Sequence, residues 1–127
     1  MSAHRVLSFI LALCAVPVGA QTSPPIVELR WSPEGRFAHR TEIQPKGFVE
    51  VCGELSPRAV VAWSYNASEA LDFNIHYHLG KDVVYAVQPS RMKAVADKLT
   101  ANVPEHYCWM WVNKGESVAT LSLELRR

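Results

Sequence analysis

The stretch that most restricts the fold is "LDFNIHYH", Leu71 to His78, in which Leu71, Phe73, Ile75 and Tyr77 alternate with Asp72, Asn74, His76 and His78. A period of two belongs to an extended strand whose successive side chains point to opposite faces of a sheet. One face is then a candidate core. The other gathers two imidazoles, a carboxylate and an amide, which is either the solvated side of a sheet or a metal site.

Similar short runs recur along the chain, divided by turn residues. "IVELRW" is followed by the turn "SPEG", then by "FAHRTEIQ" and the break "PKG". In "FVEVC" the residues Phe48, Glu50 and Cys52 share one face, and Val49 and Val51 the other. "AVVAWSY" is dense in apolar residues, as a strand covered on both sides would be. "NASEA" reads as a loop before the histidine strand, and "LGKD" turns that strand into "VVYAV". "YCWMWV" and "SVATLSLEL" are joined by "NKGE", which has the composition of a hairpin turn. Strands at this spacing predict an all-β chain, an antiparallel β-sandwich. One segment conflicts with it: "SRMKAVADKLTA" sets Met92, Val95 and Leu99 at helical spacing among good helix formers.

The amino terminus belongs to another class. Met1 to Ala20 combines Arg5, the apolar run "VLSFILALCAVPV" and the small residues "VGA", the pattern of a cleaved secretory signal. The run is shorter than the roughly 20 residues a spanning helix needs, and Pro17 breaks it. Leu13 before Cys14 does not fit lipoprotein processing. Removing those 20 residues from 127 leaves 107, enough for one domain with a real core. The remainder carries twelve basic and twelve acidic residues. Such a balance excludes a general electrostatic pull toward nucleic acid or an anionic membrane.

Two cysteines remain after cleavage, Cys52 and Cys108. Export favours a disulfide between them, which in the chain-entropy model contributes about 4 kcal/mol for a loop of this length. The alternative, a pair of metal-binding or reactive thiols, needs a reducing compartment or a protecting metal.

"YCWMWVN" resembles the signature strand of the GOLD (Golgi dynamics) domain, Tyr-x-Φ-x-Φ-x-Asn, with Tyr107, Trp109, Trp111 and Asn113 in its places. "FVEVCGEL" resembles the strand around that family's first cysteine, and "LDFNIHYHLGKDVVY" its hairpin, with Gly80 in the turn. The resemblance runs from Gly47 to Leu125. It implies a jelly-roll-type sandwich that binds proteins or lipids, with residues 21–46 supplying the first strands and residues 47–127 the GOLD-like core of the same single domain. It also implies that "KAVADKLTANVPEHY" pairs as a strand, and we follow it against the helical spacing. The chain departs from the family in its apparent signal peptide and in ending at Arg127, where the membrane cargo receptors continue into a coiled coil and a spanning helix. Their receptor role is therefore not carried over. In the disulfide-bearing members the second cysteine occupies the place of Met110, so a bridge through Cys108 is displaced by one pleat.

These readings predict an exported, non-enzymatic binding module with an unknown protein or lipid partner, no cofactor and no integral membrane segment after cleavage. No nucleophile elbow, zinc-protease helix, phosphate loop or Cys-x-x-Cys pair is present. Asp72 and Glu69 have no spacing that marks an acid pair. His39 and His106 lie near turns or strand ends with no partner named by sequence, and Asn66 in "NAS" is a glycosylation acceptor only in a eukaryotic secretory host. The competing function is a periplasmic or extracellular copper site built from His76, His78 and Met110, with Met92 as a further thioether and Trp109 or Trp111 capping the ion. Alternation places Val49, Val51, Val61, Trp63, Phe73, Ile75, Tyr77, Tyr107, Trp109, Trp111, Leu121 and Leu123 in the core.

Overall fold

A computed structural model describes residues 25–127. The signal peptide expected at Met1 to Ala20 lies outside the described residues. Seven strands follow one another: β1 (Ile26–Glu28), β2 (Arg36–Ile43), β3 (Phe48–Leu55), β4 (Val60–Leu79), β5 (Asp82–Thr100), β6 (Glu105–Val112) and β7 (Ala119–Arg126). No helix occurs among the described residues.

The architecture follows from β4. Along one edge this 20-residue strand pairs with β5 from Val60↔Thr100 to Leu79↔Asp82, a hairpin that spans the molecule and turns at Gly80, whose φ of 60° suits a residue without a Cβ. Along its other edge the strand divides. Residues 62–67 pair with β7, and residues 72–76 pair with β6. Two layers result, β5–β4–β7–β2 and β5–β4–β6–β3–β1, both cut from one curled sheet. The long hairpin belongs to both.

The two layers close on a shared core. Trp63 and Tyr65 from the first half of β4 meet Phe73 from its second half at ring distances of 4.9 and 5.0 Å, and Trp111 of β6 lies 5.2 Å from Phe73. Of the twelve residues expected inside, eleven are buried, and Tyr77 is half-buried against the same core. Aromatic rings in tilted and edge-on contact add to the burial of their large apolar areas. Leu29, Ile43, Tyr65, Leu71 and Leu99 complete the interior.

Several local expectations are corrected. "NASEA" is not a loop: β4 continues through it, with a register shift on the β5 ladder between Asn66 and Leu71 that lets the strand bend from one layer to the other. "NKGE" does not close a hairpin, because β6 and β7 pair with different halves of β4 and never with each other. The segment is an arch between layers, held by the buried amide of Asn113. Its Nδ2 donates to the carbonyls of Ile43 at 3.0 Å and Ser117 at 2.8 Å, and its Oδ1 accepts from Gly115 N–H at 2.9 Å. The first run forms only the short β1, parallel to β3, so the sheet is mixed rather than wholly antiparallel. Leu29 beyond it packs over Gly53, where a Cβ would come within 2.7 Å of Leu29 Cβ. The segment with helical spacing is strand, since the free edge of β4 satisfies its backbone groups. Pro89, which has no N–H to donate, falls in the register shift between Ser90 and Val87 on this edge strand.

Candidate functional site

β4 carries two different surfaces on the side away from the core. On its second half, strand alternation sets Asp72, Asn74, His76 and His78 in a row, and pairing brings the outer face of β6 beside them, with Cys108 opposite His76 and Met110 opposite Asn74. β3 adds Cys52 opposite Cys108 and Glu50 opposite Met110. Cys52 and Cys108 are joined in a disulfide across the β3–β6 ladder. The bridge, expected from export, thus lies on the outer face directly beside His76.

His76 is 4 % exposed, although it is on the outer face. Its Nδ1–H donates to Asn74 Oδ1 at 2.7 Å, which leaves Nε2 as the acceptor of the ring. Nε2 faces Glu50 Oε1 at 3.9 Å. Burial lowers the His76 pKa below the usual imidazole value, the Glu50 carboxylate opposes that shift, and His78 adds to it. The other Glu50 oxygen lies 3.9 Å from Cys52 Sγ, a contact of proximity only, because a disulfide sulfur has no proton to donate. Glu50, His76 and Cys108 therefore bring a carboxylate oxygen, an imidazole nitrogen and a sulfur within 4.8 Å of one another.

This differs from the donor set expected from sequence. His78 stays next to His76, with ring centroids 5.1 Å apart and edge-on, but it is exposed. Met110 is one pleat removed from His76, and Met92 pairs opposite Leu71 on the far edge with 44 % exposure. Trp109 and Trp111 are buried on the core side of β6, the face opposite the histidines, so neither caps an ion there. Trp31 is the one half-buried tryptophan, lying under the Arg127 guanidinium at 5.1 Å. His39 sits in the middle of β2, stacked on Phe37 at 6.3 Å, rather than near a strand end. His106 is exposed on β6, and Asp72 forms an ion pair with Arg91 at 3.0 Å. Glu50 was missed in the sequence because it is 26 residues away from His76 and only the β3–β6–β4 order brings them together.

The second surface lies on the first half of β4. A groove of about 620 Å³ crosses β5, β4, β7 and β2 on their outer faces. Ala96, Ala62, Ser64 and Ala38 make its floor, and three cations, Lys98, Arg126 and Arg36, with two carboxylates, Glu124 and Asp97, supply its charges. One cross-strand row reads Lys98, Ala62, Arg126, Arg36. Arg36 and Arg126 are thus direct partners in the β2–β7 ladder, two like charges side by side. None of the three cations of that row has an ion-pair partner among the described residues.

No protein-family model matches the chain, and no curated protein matches it. Solved structures share its fold. A periplasmic inhibitor of g-type lysozyme from Salmonella Typhimurium is 12 % identical and superposes with a TM-score of 0.56, over 82 % of this chain and 98 % of that one. The Yersinia pseudotuberculosis-derived mitogen is 12 % identical with a TM-score of 0.55, over 72 % and 84 % of the two chains. The pre-peptidase C-terminal domain of a Bacillus anthracis collagenase is 9 % identical with a TM-score of 0.52, over 81 % and 99 %. At these identities the likeness is one of fold, a small β-rich domain.

Proposed function

We propose that this chain is an exported, non-enzymatic β-sandwich binding module whose groove across β5, β4, β7 and β2 receives an acidic segment of a partner protein. The observation that carries the reading is the Arg36–Arg126 pair in the wall of that groove. Like charges directly opposite one another in a ladder oppose folding, and a bound carboxylate turns that repulsion into charge-assisted hydrogen bonds. Lys98 extends the positive row across the alanine floor. Phe37 and Trp63 also line the groove, while packing toward the core side of their strands.

Export is supported by the amino-terminal sequence pattern and by the disulfide. The GOLD-like signature residues have structural duties compatible with a binding scaffold: Tyr107, Trp109 and Trp111 fill the core and Asn113 ties the layers. The reading is supported by a periplasmic inhibitor of g-type lysozyme, a protein of similar fold.

The test is a calorimetric titration of the oxidised protein with a glutamate-rich peptide, at low and at physiological ionic strength. Binding that disappears in Arg36→Glu/Arg126→Glu and survives in Lys81→Glu, a charge change at the far hairpin, supports the reading. Anionic vesicles run in parallel decide the other partner class: uptake by vesicles without peptide binding transfers the groove to lipid headgroups. Failure of both ligands removes the groove as a binding site.

A further inference from the structure

We propose that reduction of the Cys52–Cys108 disulfide converts the outer face of the β3–β6–β4 layer into a zinc site, with Cys52, Cys108, His76 Nε2 and the Glu50 carboxylate as ligands. The site is separate from the groove and does not depend on the partner reading.

Three features carry it. First, Glu50, His76 and Cys108 already converge within 4.8 Å, and each of the three atoms offers an electron pair rather than a proton. Second, the imidazole is oriented as a metal-bound histidine is: Nδ1–H is fixed on Asn74 Oδ1 at 2.7 Å, which sets the tautomer and turns the Nε2 lone pair toward Glu50. Third, the cluster sits in a setting that excludes water, with His76, Cys52 and Cys108 all buried at 4, 5 and 8 % exposure. Two sulfurs, a nitrogen and an oxygen are a donor set that tetrahedral zinc accepts, with metal–ligand distances of about 2.0 to 2.3 Å. In the oxidised protein the sulfurs are bonded to each other and supply no thiolate, so the set is incomplete.

The chemistry balances as follows. A dithiol reductant transfers two electrons and two protons to the Cys52–Cys108 bond, becoming a cyclic disulfide while the two cysteines become thiols. Zn²⁺ then displaces one proton from each thiol. His76 Nε2 and a Glu50 carboxylate oxygen complete the set through their electron pairs. The two sulfurs must part from bonding distance on reduction, and Cys52 Sγ already lies 3.9 Å from a Glu50 carboxylate oxygen.

The test uses the protein without its signal segment, purified oxidised and divided. One half is reduced with a phosphine, which takes up one water per disulfide, becomes its oxide and leaves no competing thiol. Both halves are titrated with Co²⁺ and then Zn²⁺, following the thiolate-to-cobalt charge-transfer band and the intense d–d bands of a tetrahedral ion, with circular dichroism recorded throughout. The reduced form is expected to take one equivalent with two thiolates, and the oxidised form to show no charge-transfer band. Affinity falls about 10-fold in Asn74→Ala, which only orients the ring, and further in His76→Ala and Glu50→Gln, which remove ligands. His78→Ala leaves it unchanged. If the reduced chain loses its strand signal, zinc must restore that signal in the wild type and fail to do so in Glu50→Gln, since the unfolded chain holds no preformed site and binding is then coupled to folding. Equal binding by the oxidised and reduced forms overturns the proposal. So does binding that needs His78 and not Glu50, or a reduced chain that zinc neither binds nor refolds.

Discussion

The two halves of β4 obey the same alternation and present opposite results. Residues 60–67 turn Ala62 and Ser64 outward into an open groove ringed by unpaired cations, whereas residues 71–79 turn Asn74 and His76 outward into a dry cluster beside a disulfide. The strand itself does not differ in kind. Its neighbours do: β7 and β2 bring long charged side chains to the first half, and β6 and β3 bring two bonded cysteines and a carboxylate to the second. Alternation decides which face a side chain is on, and the neighbouring strands decide whether that face is wet.

Breaking the closed half has the largest expected effect. Cys52→Ser/Cys108→Ser should lower the unfolding free energy in urea by about 4 kcal/mol, the chain-entropy value for a separation of 56 residues. A loss under about 1 kcal/mol would mean that the cross-link limits the unfolded chain little, by the same account. The joint between the halves comes next. Asn113→Ala removes two donated bonds and one accepted bond at a buried position, which should cost about 2 to 3 kcal/mol. Urea melts followed by tryptophan fluorescence measure it, and an unchanged midpoint would show that the arch closes without its amide.

Tyr65 gives a smaller, pH-resolved effect. Its hydroxyl donates to the Met92 carbonyl at 3.1 Å and burial pushes its pKa from 10.0 up to about 12. A phenol raised in the folded state favours folding fully below pH 10.0, and that contribution is lost as pH climbs through about 12. Tyr107, raised by burial as well, acts in the same direction. Tyr65→Phe should cost about 1 kcal/mol at neutral pH through the lost hydrogen bond, and should lessen the decline of Tm above pH 10.0. A decline as steep as in the wild type would place the alkaline transition elsewhere. The open half yields the smallest change, of opposite sign. Arg36→Gln relieves the cross-strand repulsion with Arg126 and should raise stability by a few tenths of a kcal/mol. The gain should shrink as salt is added, and a loss of stability at every ionic strength would show that the two guanidinium groups do not repel.

Much of the scaffold was legible from residue pattern. The period-two runs located the strands, and the same alternation separated core from surface for all but Tyr77 of the residues expected inside. The segment from Ser90 to Ala101 was ambiguous for a physical reason: Met92, Val95 and Leu99 suit a helix by spacing, but an edge of β4 with unpaired backbone groups overrules a weak propensity. "NKGE" misled because turn composition reports a reversal of the chain and not which strands pair after it.

The site was legible only in part. His76 was singled out by its place in the His-x-His row, but its partners were taken from sequence proximity and chemistry, as His78 and Met110. The structure sets Glu50, Asn74 and the disulfide around it instead. The Arg36–Arg126 pair, 90 positions apart in the chain, had no local signal at all.

The sequence by itself determined that this chain alternates, which side chains go inward and which two cysteines are available to bond. Those are properties of neighbours along the chain, set by strand geometry and solvent. The order of strands was decided only by tertiary structure, because β4 is long enough to serve two layers and each layer brings distant residues to its outer face. A dry His76–Glu50 cluster and a cationic groove on one strand are consequences of that order.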